Sequence, residues 1–459
     1  MKLNYSTLAF SIVAVVLGTG RSFAQEGYAP MGSPYPAGMP APYDPAGMTL
    51  QGYGPGPMGP GPMMGPAPYA QMAAVPDTGY ATQASYDPSM YEPAGDYVQY
   101  ENVAGGYCDD GGALPPRAYG SLEAMYIWRK GGNYPPILTT SDAADRGVLD
   151  APTTQILWGD GNEHGSPRLG GRLTLGLWLD DYQNWSVGGR FFGATNQVVS
   201  YQTTSTDYPV LAYPFLNLNS GLQDAVLVAL PGNGSGAADN TFVNISNKNE
   251  FYMGDAFLTK HLWTNNGNRW DFIGGYTYVK MEDSFYNDAT YTIQDAAPPG
   301  GLAQGDVIAY TDRFDATNEF HGGHIGLMAE FQDGPFSWRA MGKLALGGSH
   351  QEATVAGSQT ANGVTIANSG IFARSTNSGS FSRDKFVYIP EVNIDMIYAY
   401  NCNLDFKIGT TFIYFSDMVT GGALINNNID PNNILGPTFA FEEQEYWVLG
   451  MNFGVEYHY

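Results

Sequence analysis

The sequence predicts an all-β protein, an antiparallel up-and-down transmembrane β-barrel of about ten strands that follows a disordered Gly/Pro-rich N-terminal segment. Three observations predict this fold. Long segments alternate apolar and polar residues with a period of two. Short polar turns alternate with long connections, and the N-terminus resembles an export signal.

The alternation is clearest in two segments, near residues 168–180 and 444–459. In the first, Leu169, Leu173, Leu175 and Leu177 share one face, and Arg168 and Arg172 share the other. These segments last roughly 12–16 residues, whereas strands of soluble sheets average about 5–6 and tilted membrane strands need roughly 9–11. The length favours a membrane barrel, although a soluble secreted β-sandwich would also alternate and stays open as an alternative.

The connections give a second, independent indication. Short polar turns lie at 180–183, 264–268, 332–334 and 401–403, and longer segments lie near 130–166, 199–249, 284–316, 351–383 and 419–443. Strict alternation of the two kinds gives an even number of strands, with both chain ends on the short-turn side. Bacterial outer-membrane barrels have this arrangement, with short periplasmic turns and long external loops. The predicted location is therefore the bacterial outer membrane.

The N-terminal part divides into two segments. Lys2, the apolar run 8–17 and Ser22-Phe23-Ala24 predict a signal peptide over 1–24. An N-terminal membrane anchor is the alternative, but about ten apolar residues are too few for a spanning helix, which needs roughly 20. Residues 25–116 are rich in Gly and Pro and predict a disordered tether, which acts as a spacer or binds a partner through its Tyr and Met residues. The barrel is expected over 117–459.

Charge and motifs exclude several function classes. The formal net charge of −24 argues against a nucleic-acid partner, because such binding needs Lys and Arg to neutralise phosphates. The sequence contains no phosphate-binding loop, zinc-protease helix or paired-cysteine metal site. His321 and His324 are three residues apart on a predicted strand and therefore point to opposite faces. We expect no enzyme activity, no cofactor and no bound metal.

The predicted inward faces carry both signs of charge. In one interpretation these residues line a water-filled path and select small polar solutes or ions. In the other they pair with one another and fill the lumen. A barrel of ten strands has a narrow interior, since side chains fill the interior of an eight-stranded barrel and about 16 strands are needed to leave a channel. The candidate lumen-lining residues are Arg168, Arg172, Arg190, Arg339, Lys343, Lys407, Glu123, Asp255, Asp271, Glu391, Asp395 and Asp405.

Two features lie on the short-turn side. Cys402 falls in a short turn and Cys108 just before the first strand, so a disulfide between them is possible in an exported chain, and two unpaired thiols are the alternative. The chain ends on Tyr459, with apolar residues at alternate positions before it. This ending resembles the C-terminal signal that the barrel-assembly machinery recognises in bacteria, and that machinery is therefore an expected partner.

The segment 120–459 resembles the planctomycete-type beta-barrel porin family. The resemblance lies in short blocks at 120–123 with Trp128, and at 170–179, 271–276, 318–327, 343–347, 390–391, 409–414 and 452–454. Two positions depart from the family pattern. Thr420-Gly421-Gly422 stands where the family tends to have Arg-Pro-Gly, and Thr277 where it tends to have Arg.

The resemblance implies an outer-membrane barrel with a pore, in contact with membrane lipid, and it implies no particular solute. Together with the charged inward faces, it predicts a porin that passes small hydrophilic solutes or ions through a charge-lined lumen. The alternative is a non-conducting structural or surface-interaction barrel that acts through its long acidic external loops. A plugged lumen with its inward charges paired would favour that alternative.

Overall fold

The computed structural model describes residues 116–163, 167–232, 238–296, 298, 302–432 and 434–459. The predicted signal peptide and nearly all of the predicted tether lie outside the described residues. In the described part of the chain, no helix is both long enough and apolar enough to cross a membrane.

Ten antiparallel strands close into one hydrogen-bonded ring. Each strand pairs with the next along the chain, and the ring closes where the first strand pairs with the last, from Tyr119 opposite His458 to Arg129 opposite Val448. The all-β, up-and-down barrel predicted from the sequence is therefore confirmed. The strands are β1 (Ala118–Arg129), β2 (Arg168–Trp178), β3 (Trp185–Thr204), β4 (Ala238–Asn265), β5 (Asn268–Ile293), β6 (Val307–Asp333), β7 (Phe336–Ala361), β8 (Gly379–Ala399), β9 (Leu404–Met418) and β10 (Gln444–His458).

The short turns, the start of β1 and the end of β10 lie at one rim, as predicted. The connections 179–184, 266–267, 334–335 and 400–403 join β2–β3, β4–β5, β6–β7 and β8–β9. Asn266 and Gly267 both have positive φ, which is the geometry of a type I′ hairpin turn. At the same rim the backbone N–H of Ala118 donates to the carbonyl oxygen of Tyr459 at 2.9 Å. We call this rim the short-turn end and the opposite rim the long-loop end.

Several strands are longer than predicted. β4 has 28 residues and β5 to β7 have 26 or 27, so much of the segments 199–249, 284–316 and 351–383 is strand rather than loop. The extra length has a polar outer surface, where Arg313 of β6 pairs with Asp315 at 2.5 Å. The prediction was wrong there because strand residues that are polar on their outer face lack the apolar period that marks a membrane strand.

The outer surface of the barrel carries an apolar band. Leu173 and Phe453, for example, are 42% and 47% exposed. Water-soluble proteins rarely expose a continuous apolar surface, so the band suits contact with lipid. On β10 the band runs from Trp447 to Tyr457, close to the roughly 9–11 residues that a tilted membrane strand needs. Aromatic side chains on both sides of the band suit the two membrane interfaces. Those near the short-turn end include Trp185, Trp263, Trp338, Tyr398 and Tyr457, and those on the other side include Tyr126, Trp128, Tyr252, Tyr278, Tyr388 and Trp447.

A small sheet formed by the long connections packs against the inner wall at the long-loop end. We call it the lid sheet. The hydroxyl of Tyr213, on this sheet, donates to Oδ1 of Asn287 on β5 at 2.8 Å, and both groups are buried. Apolar residues of the lid sheet and of the inner wall form one buried cluster, so the connections are part of the folded core. The lid sheet consists of Leu138–Thr140, Gln155–Trp158, Leu211–Asn217, Leu222–Ala229 and Asn428–Ile429.

We expect Leu173→Arg to destabilise the barrel by roughly 2–4 kcal/mol, because it places a charge on the lipid-facing band. Urea unfolding of the protein in lipid vesicles measures this difference. The matched control is Leu222→Arg, at a residue of the lid sheet that is 68% exposed. Its stability should change by less than about 0.5 kcal/mol, as at ordinary surface positions. Equal effects of the two substitutions would contradict a lipid-facing Leu173.

Candidate functional site: the lumen

The lumen is layered along the barrel axis. A cavity of about 570 Å³, which we call the vestibule, lies at the short-turn end, where Tyr182, Gln183 and Pro335 of the turns contribute to its lining. Charged side chains form the wall of the vestibule that is nearer the long-loop end, and we call the direction toward that end upward. Above them the interior is apolar, then polar, and finally covered by the connections at the long-loop end.

Four charged side chains form a closed ring in the upper wall of the vestibule. The carboxylate of Asp255 lies 2.9 Å from Nζ of Lys343 and also pairs with the guanidinium of Arg190. The carboxylate of Glu391 lies 2.9 Å from Nζ of Lys343 and 2.5 Å from Nη1 of Arg190. Thr277 adds a hydrogen bond to Asp255 at 2.7 Å. Each acid therefore contacts both bases, and the four charges cancel within the ring.

A second charged network continues around the same wall. Glu123 accepts hydrogen bonds from Nε of Arg172 at 3.1 Å and from Nζ of Lys407 at 3.3 Å. Lys407 also lies 3.3 Å from Glu456, which in turn pairs with Arg339 at 2.8 Å. These side chains come from five different strands, so the network ties opposite parts of the wall together across the lumen.

The structure brings most of the predicted lumen residues together at the short-turn side of the interior. Asp395 lies 3.7 Å from Lys407, Asp271 lies 2.8 Å from Arg269, and Asp405 lies 3.0 Å from His458. Arg168 is the exception, since it is buried in a separate layer nearer the long-loop end. The residues on the short-turn side are Glu123, Arg172, Arg190, Asp255, Asp271, Arg339, Lys343, Glu391, Asp395, Asp405 and Lys407.

The structure describes one of the two cysteines. Cys402 lies in the turn between β8 and β9, at the short-turn end. Cys108 lies outside the described residues, so a disulfide between the two stays a prediction.

Above the charged wall, apolar side chains cross the lumen. We call this layer the septum. All of its members point inward, and every strand except β2 contributes at least one of them. Met125 of β1, Met281 of β5 and Ile389 of β8 are buried to the same degree as the core of a soluble protein. The septum comprises Met125, Ile127, Phe192, Phe251, Met253, Val279, Met281, Phe320, Ala345, Val387, Ile389, Ile413, Phe415, Met418, Tyr446 and Val448.

A segment of the last long connection enters the barrel above the septum. We call residues 419–425 the plug; its 3₁₀ helix Gly421–Leu424 is buried. Asn318 of β6 holds Val419 by two hydrogen bonds of 2.8 Å, one through each atom of its amide. The backbone N–H of Gly421 donates to Oδ1 of Asp283 at 2.9 Å. The Thr-Gly-Gly sequence that departs from the family pattern thus lies within an element that fills the lumen.

Sequence reasoning missed the septum, the plug and several charged partners. Glu456 and His458 carried a usable signal, because they belong to the polar face of β10. Arg269, Glu330 and His324 also occupy inward positions of their strands. The septum had no distinct signal, since an apolar residue that faces the lumen looks the same in sequence as one that faces lipid.

The closed ring of strands, the apolar outer band and its aromatic borders define an outer-membrane β-barrel protein. The chain belongs to the family described as "Putative beta barrel porin-7 (BBP7)", whose model matches residues 119–459. This match agrees with the resemblance seen in the sequence. No curated protein matches the chain in sequence.

Several solved outer-membrane proteins resemble the chain in structure. The outer membrane protease OmpT from Escherichia coli is 10% identical with a TM-score of 0.36, over 75% of this chain and 97% of that one. A FadL homologue from Pseudomonas aeruginosa is 7% identical with a TM-score of 0.21, over 75% and 90%. The toluene transporter TodX of P. putida is 9% identical with a TM-score of 0.14, over 75% and 91%. Similarity this low gives no information about what the chain does.

We expect Lys343→Met to destabilise the barrel by roughly 3–5 kcal/mol, because it leaves two buried carboxylates with one base between them. The double variant Lys343→Met/Glu391→Met leaves a neutral pair and should recover more than half of this loss. Denaturant unfolding in vesicles measures both.

The matched control for this substitution is Lys280→Met. Lys280 pairs with two glutamates on the outer surface, where an ion pair contributes about 0–1 kcal/mol. A double variant less stable than Lys343→Met alone would contradict the closed ring.

We expect Gly421→Val to displace the plug. A Cβ at Gly421 would lie 2.8 Å from the carbonyl oxygen of Phe314 and 2.9 Å from the backbone nitrogen of Phe285. Overpacking of this kind costs about 1–3 kcal/mol, so limited proteolysis of the connection 419–443 should become about tenfold faster or more. In the control Gly254→Val, a Cβ meets no atom within 4 Å, and the rate should not change. Unchanged cleavage in Gly421→Val would contradict a packed plug.

Proposed function

We propose that this outer-membrane barrel is closed to hydrophilic solutes in its folded state and serves as a membrane anchor for the connections at its long-loop end. The observation that carries the proposal is the septum. Its apolar side chains fill the cross-section of the lumen between the vestibule and the plug. Hydrophobic constrictions stop ions by excluding water, so this layer is an effective barrier to charged and polar solutes.

The origin of the septum residues strengthens the proposal. They belong to the barrel strands themselves, so removal of the plug alone leaves the layer in place. The charged side chains below the septum pair with one another, which also supports a filled interior. The interpretation in which the inward charges pair and fill the lumen therefore favours the non-conducting structural or surface-interaction barrel.

A second candidate function is passage of small hydrophilic solutes or ions. The vestibule supports it, because this cavity of about 570 Å³ lies at the short-turn end and has many charged side chains in its lining. Passage would need the septum side chains and the plug to move together. The charged lining would then set the preference among solutes.

The proposal includes the expected partners. Membrane lipid would contact the apolar band. The barrel-assembly machinery would recognise the C-terminal strand that ends on Tyr459, whose backbone N–H donates to the carbonyl oxygen of Ala118 at 2.8 Å in the folded protein. Nucleic acid is not a partner, and no catalysis or cofactor belongs to the proposed function.

Planar-bilayer recording with the purified full-length protein tests the proposal. The natural protein should show no channel events. Replacement of residues 419–425 by a Gly-Ser linker should also show none, because the septum remains. A third variant combines the linker with three substitutions in the septum, Phe251→Gly, Phe320→Gly and Phe415→Gly. It lacks three aromatic side chains of the septum as well as the plug and should produce ion-conducting channels.

The matched control combines the same linker with Phe191→Gly, Phe386→Gly and Phe453→Gly, which removes three exposed outward rings. This variant should stay silent. Channels formed by the natural protein, with a conductance that depends on solute size, would reject the closed barrel in favour of the second candidate. Silence of the septum variant in a folded barrel would show that the septum is not the barrier.

A further inference from the structure

Two buried arginines lie between the septum and the plug. In the pairing of β1 with β2, Arg168 stands opposite Ile127, and Arg129 follows two residues later on the same inward face of β1. The two side chains are therefore diagonal neighbours across adjacent strands. Arg129 and Arg168 are only 8% and 6% exposed.

These arginines differ from the basic side chains on the short-turn side. Arg172, Arg190 and Lys343, for example, each pair with carboxylates at the vestibule. Within the described part of the chain, neither Arg129 nor Arg168 forms an ion pair with a carboxylate. A buried guanidinium without a counter-charge is unfavourable, so the missing pairing needs a physical explanation.

The hydrogen bonds of the two side chains are also incomplete. Nη1 of Arg168 donates to the carbonyl oxygens of Asn249 and Thr195 at 3.1 and 3.3 Å. Its Nε and Nη2 have no acceptor among the described residues. Arg129 lies beside the hydroxyl of Tyr446 and donates from Nη1 to the carbonyl oxygen of Lys130 at 3.4 Å, but its Nε has no acceptor among the described residues.

The carboxylate of Asp283 is already engaged. Asp283 is close enough to act electrostatically on both arginines. Its oxygens accept hydrogen bonds from the Asn249 amide at 3.1 Å, the Asn247 amide at 3.3 Å and the Gly421 backbone at 2.9 Å. One carboxylate therefore faces two guanidinium groups, and its bonds go to the wall and the plug. This leaves one positive charge in the layer without a partner.

We propose that Arg129 and Arg168 together bind a small monovalent anion, a halide or a short carboxylate such as formate. A single negative charge balances the layer, and the free N–H groups supply charge-assisted hydrogen bonds to it. The ligand has to be small, because Ile127, Tyr446 and Asn249 around the two arginines are all buried. The anion then holds the wall beneath the plug together. This proposal is independent of whether the lumen conducts.

Denaturant unfolding of the full-length protein in vesicles tests the proposal. Sodium gluconate, whose anion is too large for the site, is replaced by sodium bromide or sodium formate at constant ionic strength. For one site, the unfolding equilibrium constant should fall about tenfold for each tenfold rise in anion concentration above the dissociation constant. Bromide and formate are compared separately, so the stronger effect distinguishes a halide site from a carboxylate site.

Arg168→Met should abolish this dependence, whereas the matched control Arg313→Met, at an exposed arginine on the outer surface, should retain it. General salt effects act equally on all three proteins. Crystals of the natural protein soaked in bromide provide a readout that needs no variant, and an anomalous peak beside Nε of Arg168 is expected. The same stability in bromide, formate and gluconate would overturn the proposal. So would an unchanged dependence in Arg168→Met, or the absence of the bromide peak.

Discussion

Closure of ten strands into one hydrogen-bonded ring is the constraint on which the rest of the structure depends. Closure removes the sheet edges, so every backbone group of the wall can be satisfied within a membrane. It also fixes the width of the lumen, and a ring of this size is close to the eight-stranded barrels that side chains fill. Inward positions therefore have to be packed, and the septum and the charged networks are two ways of packing them.

The two kinds of packing lie at different depths. Near the short-turn end, acids and bases from opposite strands lie within hydrogen-bonding distance and neutralise one another, as in the ring of Arg190, Asp255, Lys343 and Glu391. At mid-lumen the barrel uses apolar side chains, which need no partners. Beyond the septum the wall becomes polar again, and there the plug is fastened to Asn318 and Asp283. The lumen thus resembles a protein core more than a channel.

Much of this architecture follows from the sequence. The period of two, the Asn266-Gly267 turn and the alternation of short and long connections predict the strand order and the direction of most side chains. The inward position of Arg172 and the outward position of Leu173 follow from the same period. These features are local, and local spacing is enough to predict them.

Other features depend on contacts between distant residues, and the sequence could not predict them. Phe251 of β4 and Phe415 of β9 lie on strands far apart in the ring, and nothing local shows that their side chains meet across the lumen, with ring centroids 5.8 Å apart. The entry of Gly421 into the barrel depends on its bond to Asp283, which is far away in the chain. The pairing of charges depends on distances between strands that are not neighbours in the chain. For this reason the sequence alone could not distinguish a charge-lined path from a filled interior.

Thiol labelling along β7 tests the filled lumen most directly. Single cysteines at Met341, Leu344 and Ala345, in a chain without its two natural cysteines, are exposed to a hydrophilic maleimide in vesicles. Met341 lines the vestibule, Leu344 faces the apolar band and Ala345 lies in the septum. A closed barrel predicts labelling at 341 and none at 344 or 345. Labelling at 345 as fast as at 341 would show that water crosses the septum and would contradict a closed barrel.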